Sequence, residues 1–310
     1  MSKQRIGLLG TGPWAHRTHA RALAAHPDVE LSGVWGRRAE AAAALAAEHG
    51  TRAYAGEGDG EEGVDALFAA SDAVAFALPP DIQAPLAVRA AAAGCHLLMD
   101  KPVATEPAKA RAVAEAVGRE GVASVVFCTM RFAPGSAGWI EEQAARNDWF
   151  TAHAHWLGSL FDQGRKDSPP DSPWRREKGG LWDVGPHALS VLMPVLGDVS
   201  EVTAVRGEPD LTHLVLRHTS GVTSSATLSL SAPQAGAGAG VEFRGASGTA
   251  TLPEGKDDPV VSFTAAIDAL LESIRTGDPH PCDARFGLRL TEILTRAETS
   301  VRENTEKGEG

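Results

Sequence analysis

Two hydrophobic rhythms alternate along the first third of the chain. Short, nearly continuous apolar runs ("RIGLLG", "VELSGVWG", "DAVAFALPP", "CHLLMD", "ASVVFCTMRF") are separated by alanine-rich stretches with helical periodicity ("RTHARALAAHP", "AEAAAALAAEHG", "APLAVRAAAAG", "EPAKARAVAEAVGREG"). Apolar runs without alternation read as strands buried on both faces, and the helical stretches between them supply the crossovers. Pro27 and Gly50 stand where the first two helices should stop. The pattern predicts a doubly wound parallel sheet. The glycine- and acid-rich "AGEGDGEEG", Ala55 to Gly63, reads as a solvated loop.

After Arg131 the rhythm changes. Strand-like runs with alternation follow one another: "TAHAHWLG", "EVTAVRG", "LTHLVLRHTSG", "VTSSATLSLSAP" and "VEFRGASGTATL". Turn residues separate them, which predicts hairpins of a mainly antiparallel sheet. "PQAGAGAG", Pro233 to Gly240, reads as a flexible inter-strand loop. Two helical patterns close the chain, and the terminal "TEKGEG" is expected to fray. The expected fold class is α/β, with a doubly wound parallel-sheet domain over residues 1–128 and an α+β domain over 129–310.

Composition narrows the function more than the fold. At 310 residues the chain can bury two cores. A formal net charge of -11 argues against nucleic acid and anionic membrane surfaces, which demand basic patches. Cys95, Cys128 and Cys282 are odd in number and far apart, without a CxxC pair, so neither a disulfide framework nor a zinc site is expected. The first apolar run is too short for a signal-peptide core, and no stretch approaches the ~20 apolar residues of a membrane span. A soluble, cytoplasmic protein is expected.

"GLLGTGPWAH" then raises a specific chemistry. It places Gly10-x-Gly12-x-x-Ala15 between a strand and a helix, with Pro13 and Trp14 inside the loop. The first glycine permits the tight turn, the second lets backbone approach a pyrophosphate, and the alanine lets helix and strand pack closely. The helix N-terminus offers amide donors to phosphate. The second strand ends at Gly36-Arg37-Arg38, with no carboxylate at the turn. A carboxylate there would select NAD, whereas guanidinium groups fit the 2′-phosphate of NADP. The expected cofactor is NADP, with NAD as the alternative.

Lys101 follows the buried run "CHLLMD", at the carboxyl end of a strand, where ligands sit in an open α/β sheet. Pro102 fixes the backbone beside it. Further on, "GGLWDVGPHALS" places Asp183 and His187 four residues apart among glycine and apolar residues. On one helix that spacing would put both side chains on the same side.

Together, "GTGPWA", "DAVAFALPP", "HLLMDKPVAT", "RFAP" and "GGLWDVGPHAL" resemble the Gfo/Idh/MocA family. The resemblance covers nearly the whole chain. It implies a nicotinamide-dependent oxidoreductase of sugars, cyclitols or related polyols. It also implies a Rossmann domain followed by a domain with an open, mainly antiparallel sheet that supports homo-oligomers. Carried over residue by residue, Lys101 would lie near the nicotinamide and the reacting hydroxyl. Asp183 and His187 would complete the active site, with His187 moving the proton. Leu78, Pro79 and Pro80 would pass the nicotinamide ribose, Arg131 would face the cleft, and Trp174 and Arg175 would approach cofactor or substrate. Ser190 stands where the family often has an acid, and Gln83 stands near the place of a histidine frequent after the two prolines.

These residue types suit the reaction. The cofactor carries a hydride to or from a carbon, and the protein must orient it and manage the proton on oxygen. Histidine titrates in the right range, and a lysine ammonium stabilises a developing alkoxide. No metal is required. The alternative reading is a non-catalytic dinucleotide-binding sensor of the same fold. His153 and His155, alternating on one strand, are expected to be structural, as are Trp139, Trp149 and Trp156. Of His16 and His19, at the first helix, one would approach the cofactor.

Overall fold

Six short strands, each feeding a crossover, build the first sheet. They are β1 (Gln4–Leu9), β2 (Val29–Trp35), β3 (Ala53–Tyr54), β4 (Ala73–Phe76), β5 (His96–Asp100) and β6 (Ser124–Phe127). All neighbours are parallel, in the order β3-β2-β1-β4-β5-β6. β4 and β6 are buried along their whole length, as uninterrupted apolar runs require. The computed structural model describes residues 3–55, 61–162, 164, 172–255 and 258–308.

The helices between these strands are α1 (Ala20–Ala25), α2 (Ala39–Glu48), α3 (Glu61–Ala69), α4 (Pro80–Ala92) and α5 (Pro107–Glu120). A π-helical turn, Ala15–His19, precedes α1. The solvated loop expected from Ala55 to Gly63 is shorter than that. Residues 56–60 lie outside the described residues, and 61–63 already belong to α3.

A second sheet of six strands follows, with β7 (Trp149–Leu157), β8 (Val199–Gly207), β9 (Leu211–His218), β10 (Thr223–Ser229), β11 (Gly238–Gly245) and β12 (Gly248–Thr251). Its order is β12-β11-β7-β10-β9-β8. Every pair is antiparallel except β7 with β10, so the mainly antiparallel expectation holds around one central parallel pair. Strand β9 alternates strictly between buried and exposed residues, which marks a sheet covered on one face only. Among the covering helices are α6 (Pro134–Ala144), α7 (Pro173–Asp183) and α8 (Gly185–Leu196). "PQAGAGAG" is partly ordered, with a short 3-10 turn at Gln234–Gly236 and β11 starting at Gly238.

The chain divides into two compact units, and the division is discontinuous. The first takes Met1–Ala133 and Asp257–Leu288, and the second takes Pro134–Lys256 and Arg289–Gly310. A simple boundary after residue 128 therefore misses one element. Helix α9 (Pro259–Thr276) returns to the first unit because its apolar face completes that core. Phe263 meets the ring of Phe127 at 4.9 Å and that of His19 at 4.0 Å, and Asp268 pairs with His26 at 3.0 Å. The last helix, α10 (Ala284–Gly308), carries the terminal segment as helix as far as Gly308, further than the expected fraying allowed.

Candidate active site

The carboxyl edge of the first sheet gathers the first group of expected site residues. The loop after β1 begins at Gly10, whose φ is +129° and whose N–H donates to the Trp35 carbonyl at 2.8 Å. A Cβ at Gly10 would run into the Ala77 carbonyl, so glycine alone fits between β1 and the end of β4. Gly12 is different, since a Cβ there would meet nothing within 4 Å. Its open side is where a ligand can approach backbone. Pro13 and Trp14 begin the helix, and Ala15 is fully buried. The first amides of any helix lack intrahelical partners. Gly12 and the turn behind it thus form a cradle of the kind a pyrophosphate fills.

Arg37 and Arg38 are exposed just beyond the end of β2, and Arg38 directly precedes α2. Thr11 packs close against Gly36, where a Cβ would approach its Cγ2 to 2.6 Å, fixing the turn before the two arginines. Leu78 and Pro79 follow β4, and Pro80 opens α4 as a buried first residue. Lys101 leaves β5 half-buried through a cis bond to Pro102, and its N–H donates to Asp100 Oδ1 at 3.2 Å. Arg131 ends a 3-10 turn, Thr129–Arg131, after β6. Burial first, then the Arg131 charge, lowers the pKa of His280.

His19, from the π-turn, is completely buried behind the glycine loop. Its Nε2 lies 3.9 Å from Asp100 Oδ2, and its ring contacts Trp14, Phe127 and Phe263. Burial pushes its pKa down to about 3, so it stands as neutral imidazole. His16 lies nearer solvent, 3.5 Å from Glu48.

The second unit holds Asp183 and His187, but not on one helix. Asp183 ends α7, Val184 breaks the helix, and His187 lies in the first turn of α8. Within α7, Gly179 adopts φ 65°, ψ -163°, a kink that suits glycine. Gly180 then packs on β10, where a Cβ would come within 2.6 Å of the Ser229 Cα. The kink is pinned by Asp210, in the hairpin between β8 and β9. Its Oδ2 accepts from the N–H of Gly180 at 3.1 Å and of Leu230 at 2.8 Å, and its Oδ1 from the Ser229 hydroxyl at 2.5 Å.

Asp183 is buried and forms an ion pair with Arg175, Nε to Oδ2 at 3.1 Å. The Arg175 guanidinium in turn lies 4.6 Å from the Trp174 ring centre. The three expected residues Trp174, Arg175 and Asp183 are therefore one assembly. His187 stacks on Trp156, rings 5.0 Å apart and 16° from parallel. Trp156 thus packs on one of the expected site residues, and Trp139 and Trp149 pack on Phe243. Ser190 is fully buried and its hydroxyl donates to the His187 carbonyl at 2.8 Å. His153 and His155 lie on the uncovered face of β7, where His153 bonds the Ser225 hydroxyl at 2.9 Å. Asp210 was hidden in the turn sequence "GEPDLTH", which signals a hairpin and nothing more.

Residues 4–127 match the oxidoreductase family with an NAD-binding Rossmann fold, and residues 151–251 match the GFO/IDH/MocA C-terminal domain. The chain belongs to the Gfo/Idh/MocA oxidoreductase family. It is 36% identical over 113 residues to the UDP-N-acetylglucosamine 3-dehydrogenase of Acidithiobacillus ferrooxidans, which covers 36% of this chain and 33% of that protein. It is 29% identical over 142 residues to the levoglucosan dehydrogenase of Pseudarthrobacter phenanthrenivorans, covering 43% and 35%. The matched segments thus span about a third of these family members. The fold is shared with GenD2 from gentamicin A biosynthesis, crystallised with NAD, at a TM-score of 0.84 and 21% identity over 98% of this chain and 95% of that one. A myo-inositol dehydrogenase from Corynebacterium glutamicum gives 0.80 and 20%, over 97% of each chain.

Among the described residues, no group of three or more His, Cys, Asp or Glu side chains gathers as a metal site, and no helix is long and apolar enough to cross a membrane. All three cysteines are free and buried.

Proposed function

We propose that this protein oxidises or reduces a hydroxyl or carbonyl carbon of a sugar, cyclitol or related polyol, with NADP as its cofactor. The observation that carries the reading is the shared edge of the first sheet. The Gly10–Ala15 loop, the Leu78–Pro80 segment and Lys101 follow the adjacent strands β1, β4 and β5. The cofactor, when bound, supplies or accepts the hydride. Gly12 and the helix behind it hold the pyrophosphate, and Arg37 and Arg38 hold the 2′-phosphate of the adenosine ribose. The Lys101 ammonium donates to the reacting oxygen and stabilises negative charge on it. In the second unit, His187 moves the proton, Asp183 with Arg175 and Trp174 orients polar groups, and Arg131 of the first unit contacts substrate.

The open face of the second sheet supports a homo-oligomer. Val205 and Val215 stand on it 55% and 57% exposed. Buried free thiols suit a reducing cytoplasm.

The test combines cofactor titration with a substrate panel. NADPH is expected to quench tryptophan fluorescence at lower concentration than NADH, with the difference lost in Arg37→Ala. Tighter NADH binding that ignores Arg37 would remove the NADP assignment. On a panel of keto-sugars and polyols, Lys101→Ala and His187→Ala are each expected to lose about 10²–10⁴-fold in turnover. Unchanged rates in both would end the catalytic reading.

A further inference from the structure

The segment carrying Lys101 leaves the sheet at Asp100, so its backbone groups lose their ladder partners and need others. One side chain supplies most of them. Gln83, in the first turns of α4, is 0% exposed. Its Oε1 accepts the Asp100 N–H at 2.9 Å. Its Nε2 donates to the Asp100 carbonyl at 2.8 Å, with the Pro102 and Val103 carbonyls each 3.3 Å away. Both ends of the amide are thus spent on residues 100–103. From the same helix, Asp81 receives the Thr105 hydroxyl at 3.0 Å, a second tie just beyond. Lys101 lies inside the span that these two bonds hold.

We propose that Gln83 is a positioning residue for Lys101, fixing by its buried amide the backbone from which the lysine reaches the reacting oxygen. The proposal rests on the reading of Lys101 given above. The amide is suited to the task because the loop offers both an N–H and several carbonyls at one point. A neutral side chain with one acceptor and one two-hydrogen donor matches that set without burying charge. Leucine of similar size would fill the space and leave the backbone groups unsatisfied. Glutamate would keep the acceptor but, when ionised, turn a second oxygen toward the three carbonyls. When protonated, its O–H donates to the Asp100 carbonyl and restores the pattern.

The experiment compares the full-length wild type with Gln83→Leu, Gln83→Glu and Lys101→Ala. Three quantities are read: NADPH binding by fluorescence, the rate and pH midpoint of Lys101 acetylation by acetic anhydride, mapped by peptide mass spectrometry, and turnover on the best substrate of the panel. Gln83→Leu is expected to bind NADPH within about 3-fold of wild type. Its kcat is expected to fall by about 10²-fold with little change in KM, as misplacement of a reacting group does. The Lys101 acetylation profile should shift. Gln83→Glu should behave like Gln83→Leu at neutral pH, and its Lys101 reactivity and kcat, each taken relative to wild type at the same pH, should recover as pH falls and the buried carboxyl protonates. Should Gln83→Leu not fold, Gln83→Glu carries the test alone, because its recovery occurs within one protein. Wild-type acetylation and turnover in the glutamate variant at all pH values would overturn the proposal. If Lys101→Ala turns over normally while the Gln83 variants still shift Lys101 acetylation, the catalytic reading of Lys101 fails and the positioning stands.

Discussion

In the first sheet β4 and β6 are buried from end to end, whereas β9 in the second alternates residue by residue between interior and solvent. The difference decides where each unit can keep polar groups. A parallel sheet covered on both faces leaves its ends open, and the glycine loop, the two prolines and Lys101 collect at the carboxyl end. They are held by backbone geometry and, for the segment after β5, by the buried Gln83 amide. A half-covered sheet leaves a whole face to solvent and takes its helices on the other. In the second unit the polar residues therefore sit on the helices, at a kink pinned to the strand ends by Asp210. Edge chemistry depends on chain conformation, and helix chemistry on tethers.

The largest effects should come from the edge. Gly10→Ala places a Cβ against the Ala77 carbonyl at a φ unfavourable to any side chain, and is expected to cost about 1–3 kcal/mol by urea unfolding. Gly12→Ala meets open space. It should leave stability within about 0.5 kcal/mol but weaken NADPH binding markedly. Equal stability losses at the two positions would erase the distinction between a folding glycine and a ligand-facing one.

The tether is expected to rank next. Asp210→Ala removes the partner of three donors, and should cost about 1–3 kcal/mol. Hydrogen exchange should speed up around Gly180 and leave β1 to β6 unaffected. Asp210→Asn keeps an acceptor for the two N–H groups and a donor for Ser229, so it should recover most of the loss. A variant as damaged as the alanine would show that charge, not hydrogen bonding, holds the kink.

Acid gives the smallest and most graded contrast. Burial holds His19, His96 and His280 of the first unit, and His218 of the second, below the ordinary histidine pKa. Unfolded His19 takes up a proton below about 6.5, and the folded form waits until about 3. The unfolded state therefore binds more protons in that window, and stability falls as pH drops through it. Carboxylates depressed by ion pairs, such as Asp72 beside Arg5, lose stability in the same direction. Peptide-resolved hydrogen exchange should show the first unit loosening before the second. His19→Leu should shallow the slope; an unchanged slope would take His19 out of the acid response.

Much of this was legible along the chain. Continuous apolar runs announced the parallel strands, alternation announced the second sheet, and glycine spacing marked the loop after β1, because each depends on neighbours a few residues apart. Helix α9 was misplaced because a helical stripe tells that a face is buried and not against which core. The same limit hid the break at Val184, since four-residue spacing looks identical on one helix or on two.

By itself, then, the sequence determined the element types, the residues Gly10, Gly12, Lys101, Asp183 and His187, and the family pattern they form. Only the tertiary structure decided what holds them. Gln83 reaches the backbone of Asp100, next to Lys101, across 17 residues, and Asp210 reaches Gly180 across 30. A pairing between side chain and distant backbone leaves no periodic trace in sequence, because any residue can offer the N–H or the carbonyl and only the fold brings it within reach.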